Sequence, residues 1–352
     1  MFYDRAMGLI IKRCMKFFMK AIGWLARKYG NPQLVFSNNS SPVNHELSRR
    51  IIQKKWTVIL QGPLPNPSSI KYLDKVLDSY RLMVNKPEVI LSSYANQAEI
   101  PRELLSKFDH VIYSDLSQIE HNLHGQLVTT SAGIRAAQDA DYILKARVDQ
   151  ILENPMSLTL AQIMLENYPA LSPRTGSRLL GSSMNSWLYR PLGLSDMWVA
   201  GAAEDMSHYW ALDSKSYSQG QKVSMSEIDI QFEGTWTENY KTVNENWLAT
   251  RYALLNGQTL TADWWHDSIT FWTTSAVVLD ALSLGIKWRK RDTYIYGNKE
   301  VMMFNGSNPL CSLEISFSTW QELSSMYTTC SKTLTDGENP HLIFRNGLVS
   351  SS

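Results

Sequence analysis

The densest run of chemistry-bearing residues is Lys145-Ala146-Arg147-Val148-Asp149-Gln150. It closes an apolar stretch beginning at Tyr142, and side chains alternate along a strand, so Lys145, Arg147 and Asp149 are expected on one face. Two cations and a carboxylate are costly to bury without a strong partner. A diphosphate, with or without a divalent ion, would be such a partner. An internal Arg147–Asp149 ion pair is the alternative, because purely structural networks use the same residues.

The second half of the chain offers further candidates. Asp196 precedes the apolar Trp198-Val199-Ala200-Gly201 and so sits at the edge of a strand, either as a turn residue or as an acid beside a ligand. Glu245 opens a helical repeat of Val243, Trp247, Leu248, Arg251, Leu254 and Leu255, and at about 100° per residue it lies beside the apolar face. It could face a cleft and act as a general base, or simply favour the helix N-terminus as an acid in the first turn. Trp264-Trp265-His266-Asp267 could form a sugar platform with a phosphate or metal ligand, or a strand end with buried rings. The basic run Lys287, Arg289, Lys290, Arg291 suits phosphates, anionic lipid or plain solvent.

These residues need a scaffold, and the pattern is strand alternating with helix. Trp56–Leu60, Glu88–Ser92, Val111–Tyr113 and Tyr142–Arg147 read as strands; Ser68–Val84 and His124–Ala140 read as helices. That alternation predicts a parallel sheet with the ligand beyond the carboxyl ends of its strands. The residues there are Gln61 and Gly62, Ser93 and Tyr94, Ser114 and Asp115, then Arg147 to Asp149. Neither a GxGxxG fingerprint nor a Walker loop is present, which argues against a dinucleotide dehydrogenase or P-loop NTPase.

Composition narrows the class. The 34 basic and 33 acidic residues nearly cancel, so no nucleic-acid-binding field is expected. Cys14, Cys311 and Cys330 form neither a CxxC pair nor an even-numbered framework, which suits a reducing cytoplasm and leaves open whether Cys311 and Cys330 pair. Most of the many Trp and Tyr residues are expected in the core, though their faces also suit sugar rings.

From Gly8 to Tyr29 the six basic residues Lys12, Arg13, Lys16, Lys20, Arg27 and Lys28 fall on one side of a helical wheel. Ile11, Cys14, Met15, Phe18, Met19, Ile22 and Leu25 fall on the other, with Ile10 at the boundary, so residues 8–29 read as a basic amphipathic helix for an anionic membrane surface. Packing on its own domain is the competing reading. Charges interrupt the apolar run well short of the ~18–20 residues a span requires. Asn38 to Pro42 reads as a polar linker.

Several of these segments resemble a known family. The run from Trp56 through Gln61, Gly62 and Pro63, the segment EVILSSY, and the helix leading into YILKARVDQ are similar to the WavE family of lipopolysaccharide-synthesis proteins. Leu194 to Gly201, Asn244 to Leu248 and Val277 to Trp288 resemble its later blocks, so the likeness runs through short ordered motifs over roughly residues 55–292. That family in turn resembles GT-A-type transferases, in which an acidic strand-end motif holds a metal bound to a nucleotide-sugar diphosphate. The resemblance implies an α/β, GT-A-like fold with a Rossmann-like sheet flanked by helices. It places Asp149 in the DXD-like role, as a ligand of Mn2+ or Mg2+. Arg147 stands where the first acid would be, so metal-independent catalysis is equally open.

The expected organisation is an arm and linker over 1–50, a glycosyltransferase domain over 51–292, and a C-terminal appendage over 293–352. The expected function is sugar transfer from a nucleotide-sugar donor to a lipid-linked saccharide, in the cytoplasm at the inner membrane. Glu245 or Asp196 would serve as base. Gln61, Gly62, Ser93, Asp115, Lys145, Arg147, Asp149, Trp265 and His266 would line the substrate site. A non-catalytic polysaccharide-assembly subunit and a sugar-phosphate transferase are the alternatives.

Overall fold

Trp56–Gln61 (β1) is β-branched and apolar up to its last residue, Gln61, and every one of its residues is buried, as a central strand covered on both faces must be. The computed structural model describes residues 54–95, 98–115, 122–171, 176–186, 188, 192–211, 244–260, 264–289 and 315–333. The amphipathic segment 8–29, the linker at Asn38 to Pro42, Cys14, Cys311, Lys290 and Arg291 lie outside them, as does the side chain of Cys330.

After β1 the chain turns through Gly62 and Pro63 into the helix Pro67–Arg81 (α1). Asn66 caps it by accepting the Ser69 N–H at 3.0 Å, and Pro67 starts it where no backbone N–H is needed. Glu88–Tyr94 (β2), His110–Ser114 (β3), the helix Asn122–Ala136 (α3, after the short α2 at Arg102–Leu105) and Tyr142–Arg147 (β4) follow. The expected strands are all found, each within two residues of its predicted ends. Gln150–Leu152 (β5), Ser157–Asn167 (α4), Leu179–Ser182 (β6) and Val199–Ala202 (β7) come next, then the helix Ala203–Tyr209 (α5). Asn244–Leu255 (α6), Trp264–Thr274 (α7), Ala276–Leu279 (β8), Ala281–Leu284 (α8), Ile286–Trp288 (β9) and Phe317–Thr333 (α9) complete the described elements.

Among the described residues the main sheet runs β3-β2-β1-β4-β7-β6-β8, with β5 and β9 forming a separate pair. The alternation predicts a wholly parallel sheet. The sheet is instead mixed, because β7 runs antiparallel to both β4 and β6. The expected strand-and-helix rhythm lapses there: β7 is reached through a loop containing Asp196, not through a crossover helix.

Helices cover both faces. Ile59 pairs in register with Lys145 and Gln61 with Arg147, so these four side chains share a face. α3 packs on that face so closely that a methyl group on Gly133 would stand 2.6 Å from Ile59 Cγ2. On the opposite face the buried Trp56 stacks on Tyr142 at 5.0 Å and donates its Nε1–H to Gln162 of α4. Of the stretch after Asp292, α9 packs against α7 and β8, and its fully buried Trp320 donates to the carbonyls of Trp272 and Ala276 at 2.8 and 3.0 Å. No helix of the described residues is long and apolar enough to cross a membrane.

Candidate active site

The strand order places a switch point at β1. The chain moves outward from β1 to β2 and β3, then returns to place β4 on the other side of β1, and the crevice beyond such a pair is where open α/β sheets bind ligands. At that edge Gly62 has a φ of 143°, and a Cβ there would press to 3.0 Å on Val148, so only glycine lets the two strand ends meet so closely. The Val148 N–H donates to the Gln61 carbonyl at 3.1 Å and joins the two exits.

Beyond β4 the chain turns at Val148 and Asp149 before β5 begins. Asp149 therefore lies in a turn, and the one-face placement expected for three strand residues holds only for Lys145 and Arg147. The Arg147 guanidinium grips both carboxylate oxygens of Asp149, Nε to Oδ1 at 2.8 Å and Nη2 to Oδ2 at 3.0 Å. Burial opposes the charge of Arg147, but Asp149, with Asp196 and Tyr94, more than offsets it and holds the guanidinium above its ordinary pKa. The Trp288 ring lies 5.7 Å from the guanidinium and helps fix its plane.

Lys145 is fully buried. Its ammonium donates to the Asp196 carbonyl and sits 4.9 Å from the Trp210 ring, so it props the loop before β7 from within the core. Burial pushes Lys145 down to about 8, while Asp196, Asp149 and Glu245 pull the other way and Arg147 adds to the lowering. Asp196 is 6% exposed, and Glu245, half-buried at the start of α6, accepts the Asn185 amide at 2.5 Å. Three stretches far apart in sequence, 145–149, 196 and 245, thus meet in one electrostatic cluster. Tyr209, pushed well up by burial and then by Asp196 and Glu245, belongs to the same cluster and was not among the sequence candidates.

The low pKa of Lys145 has a measurable consequence. Between about pH 8 and 10.5 the unfolded chain, with an ordinary lysine, binds more protons than the folded one, so stability should rise with pH across that window. Below it both states are protonated and the slope vanishes. Denaturant unfolding from pH 7.5 to 9.5 should show the intact chain gaining on the order of 1 kcal/mol per pH unit above pH 8 relative to Lys145→Met. Parallel curves for the two proteins would mean that Lys145 stays protonated in the core.

The remaining candidates divide. Gln61 is buried and donates to Thr129 of α3 at 3.0 Å, and Ser93 is buried and donates to the Gly62 carbonyl, so both shape the strand exits from beneath. Burial raises the Tyr94 hydroxyl above its ordinary pKa, against the lowering by its neighbours Arg147 and Gln61. Asp115 is exposed at the end of β3. Trp265 and His266 lie in the first turn of α7, a helix, which excludes the strand-end alternative for them.

Arg289 is the residue the sequence underrated. β9 pairs antiparallel with β5, and at its end the Arg289 N–H donates to the Asp149 carbonyl at 3.0 Å. Its side chain reaches Ser68 and Ser69 at 2.6 and 3.0 Å, while Lys287 of the same run pairs with Glu153 at the surface. A cavity of about 380 Å³ results, lined by the β1 exit loop, Ser69, Arg147, Asp149 and Arg289.

Both oxygens of Asp149 are taken by Arg147, and among the described residues no group of three His, Cys, Asp or Glu side chains is placed to hold a metal. A hard cation wants several oxygen ligands, and the residues at Asp149 do not fit one.

No family model matches the sequence, and comparison with curated proteins gives no match. Among solved structures the chain is similar to glucosyl-3-phosphoglycerate synthase from Mycobacterium tuberculosis in complex with Mn2+, UDP and phosphoglyceric acid, at 12% identity over 47% of this chain and 61% of that one, TM-score 0.32. It is similar also to the glycosyltransferase GlyE of Streptococcus pneumoniae TIGR4 (13%, 85% and 64%, TM-score 0.36) and to S. aureus TarS in complex with UDP (13%, 57% and 55%, TM-score 0.32). The chain spans 61% of the synthase's length. Likenesses this loose carry no argument about function, and the mixed α/β class rests on the strand order itself.

Proposed function

We propose that this chain is a glycosyltransferase that moves a sugar from a nucleotide-sugar donor to a saccharide hydroxyl. The observation that carries this reading is the Arg147–Asp149 pair lining a cavity at the switch-point crevice, with the charges of Asp196 and Glu245 acting on the buried Lys145 behind it. Such a cluster suits a reaction in which a diphosphate departs. The acceptor oxygen attacks the anomeric carbon and the carbon–oxygen bond to the diphosphate breaks. The nucleoside diphosphate leaves with the bonding electrons beside Arg147, and the acceptor proton passes to Glu245. Asp196 would keep Lys145 and Arg147 charge-compensated.

A divalent ion, were one bound, would supply Lewis-acid stabilisation of the leaving diphosphate. Arg147 is the group present for that task. The test is calorimetric or thermal-shift screening against UDP-, GDP-, CMP- and ADP-sugars, with and without manganese, followed by product analysis with membrane extract. Release of a nucleoside diphosphate is expected. From a UDP-, GDP- or ADP-sugar a nucleoside monophosphate would instead mark sugar-phosphate transfer, whereas CMP released from a CMP-sugar would mark sugar transfer without a diphosphate leaving group; binding without turnover would mark an assembly subunit, and no binding to any of the four would sink the reading.

The finer setting is also proposed: a lipid-linked acceptor of lipopolysaccharide or a related surface polysaccharide at the cytoplasmic face of the inner membrane. It is supported by the WavE resemblance and by the charge pattern of residues 8–29. Deleting residues 1–30 should release the chain from anionic vesicles, and salt should weaken binding of the full chain. Co-sedimentation identical for both would defeat the membrane reading.

A further inference from the structure

We propose that the cavity beside Asp149 binds the donor's diphosphate between two guanidinium groups, Arg147 and Arg289, which together supply the positive charge that a divalent ion would otherwise bring. This rests on the nucleotide-sugar reading above and extends it to a residue some 140 positions downstream.

The lining is positively charged and its cations are oriented in advance. Arg147 commits two of its five N–H groups to Asp149, leaving three on a fork that the same bond holds still. Arg289 rests its Nη groups on the hydroxyls of Ser68 and Ser69, which are neutral acceptors, and its guanidinium lies 5.6 Å from the Tyr72 ring. Among the described residues no carboxylate stands within ion-pair distance of Arg289. Asp149 is the one acid in the lining, and its charge is answered by Arg147. Among the described residues, two guanidinium groups against one engaged carboxylate leave a net positive lining.

Backbone bonds hold both cations to the same place. The Arg289 N–H bonds the Asp149 carbonyl, so the β5–β9 pair delivers the second arginine to the turn that carries the first. Planar forks match phosphate oxygens two at a time, and two forks suit two linked phosphoryl groups better than a single anion. The cavity, at about 380 Å³, is within the range of small-ligand sites. Asp149 thereby acts as the positioning residue of Arg147 and not as a metal ligand.

The probe is inorganic pyrophosphate, titrated calorimetrically into the full chain in EDTA, with orthophosphate at matched ionic strength as the control. Pyrophosphate should bind without added metal and more tightly than orthophosphate. Arg289→Ala should weaken it about tenfold or more, and Arg289→Lys, which keeps the charge but loses the fork, should recover only part of that loss. Thermal melts of each variant identify any loss caused by unfolding, and Arg289→Lys then carries the comparison. Pyrophosphate binding that requires Mn2+ or Mg2+, or that is unchanged in Arg289→Ala, overturns the proposal. A nucleotide-sugar that binds only with metal would leave the transferase reading standing and remove this one. Metal-free pyrophosphate binding with no nucleotide-sugar bound would leave the two-arginine site and remove the donor assignment.

Discussion

Glu245→Gln is expected to lower turnover by about 10²- to 10⁴-fold while donor affinity stays within a few-fold. The substitution is nearly isosteric, and a glutamine carbonyl can still accept the Asn185 amide that the carboxylate accepts at 2.5 Å. What it loses is the capacity to take a proton. A general base works in the chemical step, so the deficit should appear in kcat and not in the calorimetric Kd of the donor. Asp196 is the less suitable base because it is 6% exposed and lies against Lys145 and Arg147, where its charge compensates theirs. Unchanged turnover in Glu245→Gln, joined to a large loss in Asp196→Asn, would exchange the two roles.

Asp149→Ala is expected to abolish detectable transfer while the chain remains folded. Losing one partner of a fully buried pair costs about 3–5 kcal/mol, whereas an exposed pair contributes about 0–1 kcal/mol. Here the Arg147 and Asp149 side chains are 21% and 16% exposed, between the limits, and a cost of about 1–3 kcal/mol follows. A domain stable by about 5–15 kcal/mol survives that, with a melting temperature lower by several degrees. The Asp149 carbonyl still accepts the Arg289 N–H in the variant, so the turn keeps its anchor. Arg147, released from its carboxylate, would no longer hold its fork toward the cavity. Circular dichroism, a melt and a transfer assay on one preparation decide the matter. A folded variant with normal activity would remove Asp149 from the site, and a grossly unfolded one would make the pair a structural element.

The first half of the fold was legible because its elements are defined locally. Trp56–Gln61, Glu88–Tyr94 and Tyr142–Arg147 are short β-branched and apolar runs, and α1 announces itself through Asn66-Pro67 and its apolar repeat. Trp264 to Asp267 misled because adjacent aromatics fit a strand or a helix equally well over so short a window. The structure resolves it as the first turn of α7.

By itself the sequence determined the strand exits and the placement of Arg147 at one of them. Both follow from the alternation of side chains along a strand, which depends only on neighbours in the chain. Tertiary structure alone decided that β7 runs antiparallel, that Lys145 turns into the core to hold the Asp196 carbonyl, and that Asp149 leaves the strand to clasp Arg147. It also decided that Arg289 arrives beside them through the β5–β9 pair. The physical reason is that a charge's partner is set by distance in space. Side chains more than a hundred residues apart leave no periodic trace, so Arg289 reads as solvated surface until the fold brings it to a cavity.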